Sequence, residues 1–168
     1  MEFIESKTEQ SSIEKLVGQY INLRVEERCY LIRIEKTGGV VGLQRITPSS
    51  TKADGLLGTM TLQGNRYPVV DLRARIGLES KAPTNRTHIV LVRIGKDDQA
   101  FQAGLIVDEV TGVSSIGYHS IRGIEEYEID GEGASAVAVA ESEGQDAVIL
   151  NTDILLNSTV LRNLAEKK

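Results

Sequence analysis

Apolar and polar residues alternate with a period of two along most of this chain, in short runs broken by turn residues. Ile21, Leu23 and Val25 alternate with Asn22 and Arg24, the pattern of a strand with one face in a core. The polar stretch Glu26-Glu27-Arg28 separates this run from Tyr30, Ile32 and Ile34, so the two segments predict a hairpin. Leu57–Gln63 and Tyr67–Leu72 flank Gly64-Asn65, and a glycine leading a two-residue turn predicts a second hairpin of type II′. Pro68 cannot donate to a ladder, which places it early in its strand or at an edge. Further strands are expected over His88–Ile94, Phe101–Val107, Val110–Ile116, Ala134–Glu141 and Ala147–Leu150, with a tight turn at Gly95-Lys96-Asp97-Asp98. Gly38-Gly39 breaks the alternation, and Thr47-Pro48-Ser49-Ser50-Thr51 reads as a loop.

Helical period is confined to short stretches. Ser11-Ser12-Ile13-Glu14 has capping-box spacing with Ser11 as N-cap; Ile13, Leu16 and Val17 share a face, and Gly18 is placed to stop the helix. Asp71 is positioned to cap one turn through Arg73–Ile76 that ends at Gly77. Asn151 or Thr152 starts a helix through Ile154, Leu155 and Leu156, and Ser158 opens a last segment with Val160, Leu161 and Leu164 on one face. Glu125–Asp130 is acidic, and Gly131-Glu132-Gly133 follows as a turn. No repeat of fixed period is visible. Roughly ten short strands with turns between them describe a mainly β protein with helical ends. The expected division is a tail and short helix over 1–18, a β domain over 19–157 and a C-terminal helix and tail over 158–168.

Composition narrows the function classes. Of 168 residues, 40% are hydrophobic, which is enough for a packed interior. Aromatics make up only 4% and Trp is absent, so the core falls to Val, Ile and Leu, residues that suit pleated surfaces. Nineteen Lys and Arg against 24 Asp and Glu give a net charge of −5, the wrong sign for a protein that tracks phosphates, and few aromatics remain for base stacking. No nucleic-acid partner is expected. No run approaches the roughly 18 apolar residues of a membrane helix, and Met1–Lys7 lacks signal-peptide character. Cys29 is the single cysteine, which excludes an internal disulfide and fits a reducing cytosol.

Candidate chemistry is sparse. His88 and His119 stand far apart with no partner at helical spacing, so neither forms a metal-binding motif. Cys29 lies between Arg28 and Tyr30 with no accompanying Cys-His pattern and reads as a small half-buried thiol. The acids of Glu125–Asp130 lack calcium-loop spacing and read as a solvated face. Arg73 and Arg75 near Asp71 fit either an anion site or a surface ion pair. Neither a cofactor nor a catalytic group is indicated. An enzyme or small-ligand binder would need Asp71, Arg73, His88 or His119 to converge in a pocket that spacing does not reveal.

Three stretches carry a family resemblance. Gly58-Thr59-Met60-Thr61-Leu62-Gln63-Gly64-Asn65-Arg66-Tyr67-Pro68-Val69-Val70-Asp71-Leu72-Arg73 resembles the signature of CheW-like domains, in which a glycine opens a strand and the chain returns as Pro-Val-x-Asp-Leu-Arg. Gly104-Leu105-Ile106-Val107-Asp108-Glu109-Val110 is similar to the family's later Gly-x-x-Val-Asp-x-Val strand. Val148–Asn157 is similar to its closing strand and helix start. Order and intervals agree from about Gln19 to Asn157.

The resemblance implies two five-stranded SH3-like barrels around a shared hydrophobic core, with short terminal helices. It also implies a non-catalytic cytoplasmic adaptor that holds a CheA-type histidine kinase, through the kinase's own CheW-like regulatory domain, to the tip of a methyl-accepting chemoreceptor. Such a protein meets the membrane only through its receptors. With no receiver or kinase module before Lys168, it would act as a stand-alone adaptor. Gly58, Gln63 and Gly64 fall on positions the resemblance associates with partner binding, and Thr37, Gly39 and Thr47 fall on the strand and loop that would face the receptor. Gly39 stands where the family commonly has a glutamate, and Gln63 where an arginine is typical. An ion pair beside the receptor groove is thus missing as a pair, which implies a paralogue serving a dedicated array such as one governing type IV pilus twitching.

Overall fold

The computed structural model describes residues 11–124 and 133–166, and the alternating segments there form two sheets. The first contains β1 (Gly18–Val25), β2 (Arg28–Arg33), β8 (Glu109–Ile116), β9 (Ile121–Arg122), β10 (Ala136–Ser142) and β11 (Gln145–Leu150). The second contains β3 (Thr37–Gly42), β4 (Leu56–Leu62), β5 (Asn65–Asp71), β6 (His88–Ile94) and β7 (Phe101–Val107). Their orders are β8-β1-β2-β11-β10-β9 and β3-β6-β7-β5-β4. The chain leaves the first sheet after β2, builds the second whole, and returns at β8.

The second sheet closes through a backbone bridge, and the first is drawn together by side-chain hydrogen bonds between β8 and β10. In the second, Thr47, just beyond β3, bridges Thr59 of β4, with amide-to-carbonyl distances of 2.8 and 2.9 Å. In the first, Ser114 of β8 and Ser142 of β10 lie 2.8 Å apart, and the buried Asn22 amide donates to Ser114 at 2.7 Å. These two sheets are the two small barrels. The first holds six strands because β9, only two residues long, joins it.

Alternation decides where each side chain goes. Tyr20, Leu31, Ala147 and Ile149 fill the first barrel, while Met60, Val69, Ile89 and Leu91 fill the second. Their neighbours Ile21, Tyr30, Ile32, Val70, Val90, Val92, Val148 and Leu150 point the other way, into one core between the barrels. Strands such as β6 and β11 are therefore apolar on both faces, as expected of strands covered on two sides. The closing helices α3 (Thr152–Leu156) and α4 (Thr159–Glu166) add Leu155, Leu156 and Leu161 to the shared core. Residues 11–14 are helical (α1), with Ile13 and Leu16 packed on the first barrel's interior. The last carbonyls of that segment are held by the Arg33 guanidinium on Lys15 O and the Tyr20 hydroxyl on Leu16 O.

Several expected boundaries shift for local reasons. Ser11 is already helical rather than the cap, and Gly18 opens β1 instead of stopping the helix. Gly38-Gly39 lies inside β3, an edge strand with a bulge between Thr37 and Gly39. The β4–β5 turn is Gln63-Gly64, one residue earlier than expected: Leu62 pairs with Asn65, and both turn residues have positive φ, 51° and 82°. Those angles make the turn type I′, which matches the strand twist better than splayed alternatives. Pro68 sits one residue before the parallel ladder between β5 and β7 begins at Val69. Glu125–Asp130 and Gly131-Glu132 lie outside the described residues.

The two barrels share an internal pattern that the sequence conceals. Gln63-Gly64 and Glu143-Gly144 are equivalent positive-φ turns 80 residues apart. Asp71 and Asn151, with the same 80-residue offset, each cap a short helix through the side chain. β5 and β11 each pair in parallel with a strand from elsewhere in their sheet.

Candidate functional site

The residues singled out for partner binding all fall on the second barrel. Gln63 and Gly64 form the exposed β4–β5 tip. Gly39 is exposed on β3, with open space around the position of a side chain. Thr37 is half-buried, and its hydroxyl donates to Ile34 O at 2.7 Å, closing the 3-10 turn Ile34–Lys36. Thr47 is exposed, but its backbone makes the bridge to β4. Gly58 is buried: a Cβ there would sit 2.0 Å from Thr47 O and 3.0 Å from Pro48 Cα. It supports the 47–48 segment from beneath and offers no side-chain face of its own. No hydrogen bond or ion pair joins Gly39 and Gln63. Beside them, Val40 is 39% and Leu43 46% exposed, two aliphatic side chains at the same strand end.

Behind this rim, a charged clamp fixes the barrels to each other. Asp71 ends β5 and its carboxylate accepts the Arg73 amide at 3.0 Å, starting α2 (Leu72–Arg75). That turn aims the Arg73 side chain across the barrel boundary. Its guanidinium donates to Asp108 at 2.6 Å, to Glu26 in the β1–β2 turn, and to Glu79 O at 2.8 Å. Asp108 also accepts the Glu26 amide at 3.1 Å. Arg73 is therefore a buried structural cation, not a surface pair or an anion site, and its partners are Glu26 and Asp108. The position 80 residues on, Asp153, makes the reciprocal tether: it accepts Lys36 at 3.1 Å and the Gly95 amide at 2.9 Å. Spacing alone could place Arg73 near Asp71 but not Glu26 or Asp108; the signal that existed was Asp108 inside the second family-like stretch.

Burial pushes the Asp71 carboxyl above its ordinary value of 3.8, against the pull of the Arg73 amide and guanidinium. The folded protein holds that proton more tightly than the unfolded chain does. Ionisation of Asp71 therefore costs stability as pH rises from 3.8 through the raised value. Asp71→Asn keeps the capping acceptor and removes the buried charge, so it should match or exceed the parent in thermal unfolding at pH 7. Asp71→Ala loses the cap and should fall about 1 kcal/mol below Asn. Alanine ranking above asparagine would contradict this division of roles.

Beside the clamp, a groove of about 520 Å³ runs between the barrels, lined by Arg24, Glu26, Leu57, Arg73, Lys81 and Ile106 among others. Asp71 and Arg73 do converge there, but as parts of the clamp. His88 Nδ1 lies 2.7 Å from Arg86 O, and His119 packs edge-on against Tyr118. Cys29 is half-buried and free. Among the described residues no three His, Cys, Asp or Glu side chains are grouped to hold a metal, and no helix is long and apolar enough to cross a membrane.

The fold is two small barrels joined by a shared core and an ion-paired clamp, with turns and aliphatic side chains exposed along one edge. A family model described as the CheW-like domain matches residues 19–160, and the chain belongs to that family. It is 25% identical over 140 residues to "Chemotaxis protein CheW" of Rhizobium meliloti (strain 1021), covering 83% of this chain and 88% of that protein. It is 22% identical over 141 residues to "Probable chemotaxis protein CheW" of Rhizobium etli, covering 84% and 88%. The crystal structure of the scaffolding protein TtCheW from Thermoanaerobacter tengcongensis has the same fold, with a TM-score of 0.74 at 24% identity over 85% of this chain and 94% of that one.

Proposed function

We propose that this protein is a chemosensory scaffold without a catalytic step of its own. It holds a histidine kinase, through the kinase's CheW-like regulatory domain, to the cytoplasmic tip of a methyl-accepting receptor. It works in the cytoplasm and reaches the membrane only through receptors. The observation that carries this reading is family membership across the whole twin-barrel unit, residues 19–160.

Gln63, Gly64, Gly39 and Thr47 contribute turn and strand surface to the second barrel's rim, Thr37 and Gly58 hold it in shape, and Val40 and Leu43 supply apolar contact. A charge at such a contact is desolvated without a partner. Val40→Asp with Leu43→Asp should weaken capture by the kinase regulatory domain or by the receptor tip about tenfold or more. The variant's thermal unfolding reports that it remains folded. Unchanged affinity for both partners would remove this strand end from the interface.

A specific departure favours a dedicated array over the general chemotaxis receptor. Gly39 and Gln63 leave the rim without the glutamate and arginine that the family resemblance implies. Type IV pilus twitching is the system we assign on this ground. Normal twitching responses in a strain lacking the protein would count against that assignment.

A further inference from the structure

We propose that the mouth of the second barrel is a recognition site for a carboxylate-bearing segment of a signalling partner. The dish there has a volume of about 500 Å³ and is lined by Arg66, Tyr67, Arg93 and Gln102, with Asp97 and Phe101 also in its lining. Strand register assembles it. Arg93 of β6 lies opposite Gln102 of β7. On the other side of β7, Val69 lies opposite Gly104, which brings Tyr67 level with Gln102. Ile89, Leu91 and Val69 point into the second barrel, and two-residue alternation turns Arg93 and Tyr67 to the same side. Arg66 stands beside Tyr67 and is exposed.

These groups are available. The side chains of Arg66, Tyr67, Arg93 and Gln102 make no hydrogen bond or ion pair with another described residue. Three other guanidinium groups are engaged in ion pairs: Arg33 with Glu35, Arg73 with Glu26 and Asp108, Arg122 with Asp146. On a chain with five more acids than bases, two neighbouring uncompensated arginines run against the average. Asp97 forms no ion pair with either, so the dish keeps a positive balance. Guanidinium forks match a carboxylate with two parallel hydrogen bonds, while Tyr67 and Gln102 add neutral donors. The dish opens next to the Gln63-Gly64 tip, so it extends the partner-binding rim. Only the identity of the partner rests on the scaffold reading.

The test uses the full chain and a fluorescein-labelled hexaglutamate peptide, followed by anisotropy at about 0.15 M salt, where charges more than about 8 Å apart are screened. Saturable binding is expected, weakened about tenfold or more by Arg93→Glu. It should change less than about twofold with Arg86→Glu, which makes the same charge change at an exposed arginine beyond the far end of β6 from Arg93. Arg93→Gln should lose less than Arg93→Glu, and thermal unfolding reports the folding of each variant. Equal losses from Arg86→Glu and Arg93→Glu, or no saturable binding, would overturn the proposal. So would displacement of the peptide by inorganic phosphate at far lower concentration than by free glutamate, which would make the dish a phosphate site. Capture of the kinase regulatory domain by a protein that ignores hexaglutamate would sink this inference alone and leave the scaffold reading standing.

Discussion

Arg73→Ala is expected to cost about 2–4 kcal/mol of folding stability, read as a lowered urea midpoint with the parent's slope. The Arg73 side chain is only 8% exposed and its guanidinium is hydrogen-bonded to both Glu26 and Asp108. Its removal leaves those carboxylates and the buried charge of Asp71 crowded at the barrel boundary. The loss stays below that of a fully buried pair because Glu26 is 47% and Asp108 26% exposed, and water screens what remains. Arg73→Lys should recover only a fraction, since a single ammonium does not reproduce a fork that reaches Glu26, Asp108 and Glu79 O together. Asp153→Ala, which breaks the reciprocal tether at a partly exposed site, should cost less, about 1 kcal/mol. A loss under about 1 kcal/mol for Arg73→Ala would show that the apolar core alone fixes the two barrels.

Gly58→Ala is expected to destabilise by about 3 kcal/mol, although it adds one methyl group. The new carbon would stand 2.0 Å from a backbone oxygen, and φ at this residue is 148°. Backbone must move, and what moves is the Thr47–Thr59 bridge that closes the second barrel. Hydrogen exchange at the Thr47 and Thr59 amides should accelerate in the variant while the shared core stays protected. Gly39→Ala is the control, with positive φ but open space around it, and about 1 kcal/mol is expected there. If the two substitutions cost the same, crowding beneath Thr47 is not what position 58 enforces. Loss of partner binding in any Gly58 variant therefore reports a distorted rim.

Local chemistry explains which parts could be read from the chain. His88–Ile94 and Phe101–Val107 were legible to the residue because each is a short, largely apolar run bounded by turn residues. The Asp71 cap was legible because a capping acceptor must lie two or three positions before the amides it serves. β3 was not, since three glycines among six residues dilute the alternation that marks a strand. The Gln63-Gly64 turn was misplaced by one residue because a glutamine with positive φ is not a sequence signal. The internal duplication was invisible for a different reason. It preserves turn angles, caps and strand pairing while Arg73 and Asp153 carry opposite charges at equivalent positions.

The site divides along the same line. Turn and edge residues such as Gly64 and Gly39 could be assigned to the surface from local pattern and family resemblance. Gly58 could not be separated from them, because its burial depends on Thr47 arriving from eleven residues away. The Arg73 clamp and the dish of Arg66 and Arg93 both depend on strand order, which no local pattern encodes.

The scaffold reading meets its most direct test in a sedimentation experiment with receptor-bearing vesicles, purified histidine kinase and this protein. The account predicts that the kinase pellets with the vesicles only when this protein is added, and that it returns to the supernatant with Val40→Asp and Leu43→Asp combined. Kinase that pellets equally with and without the folded protein would contradict it.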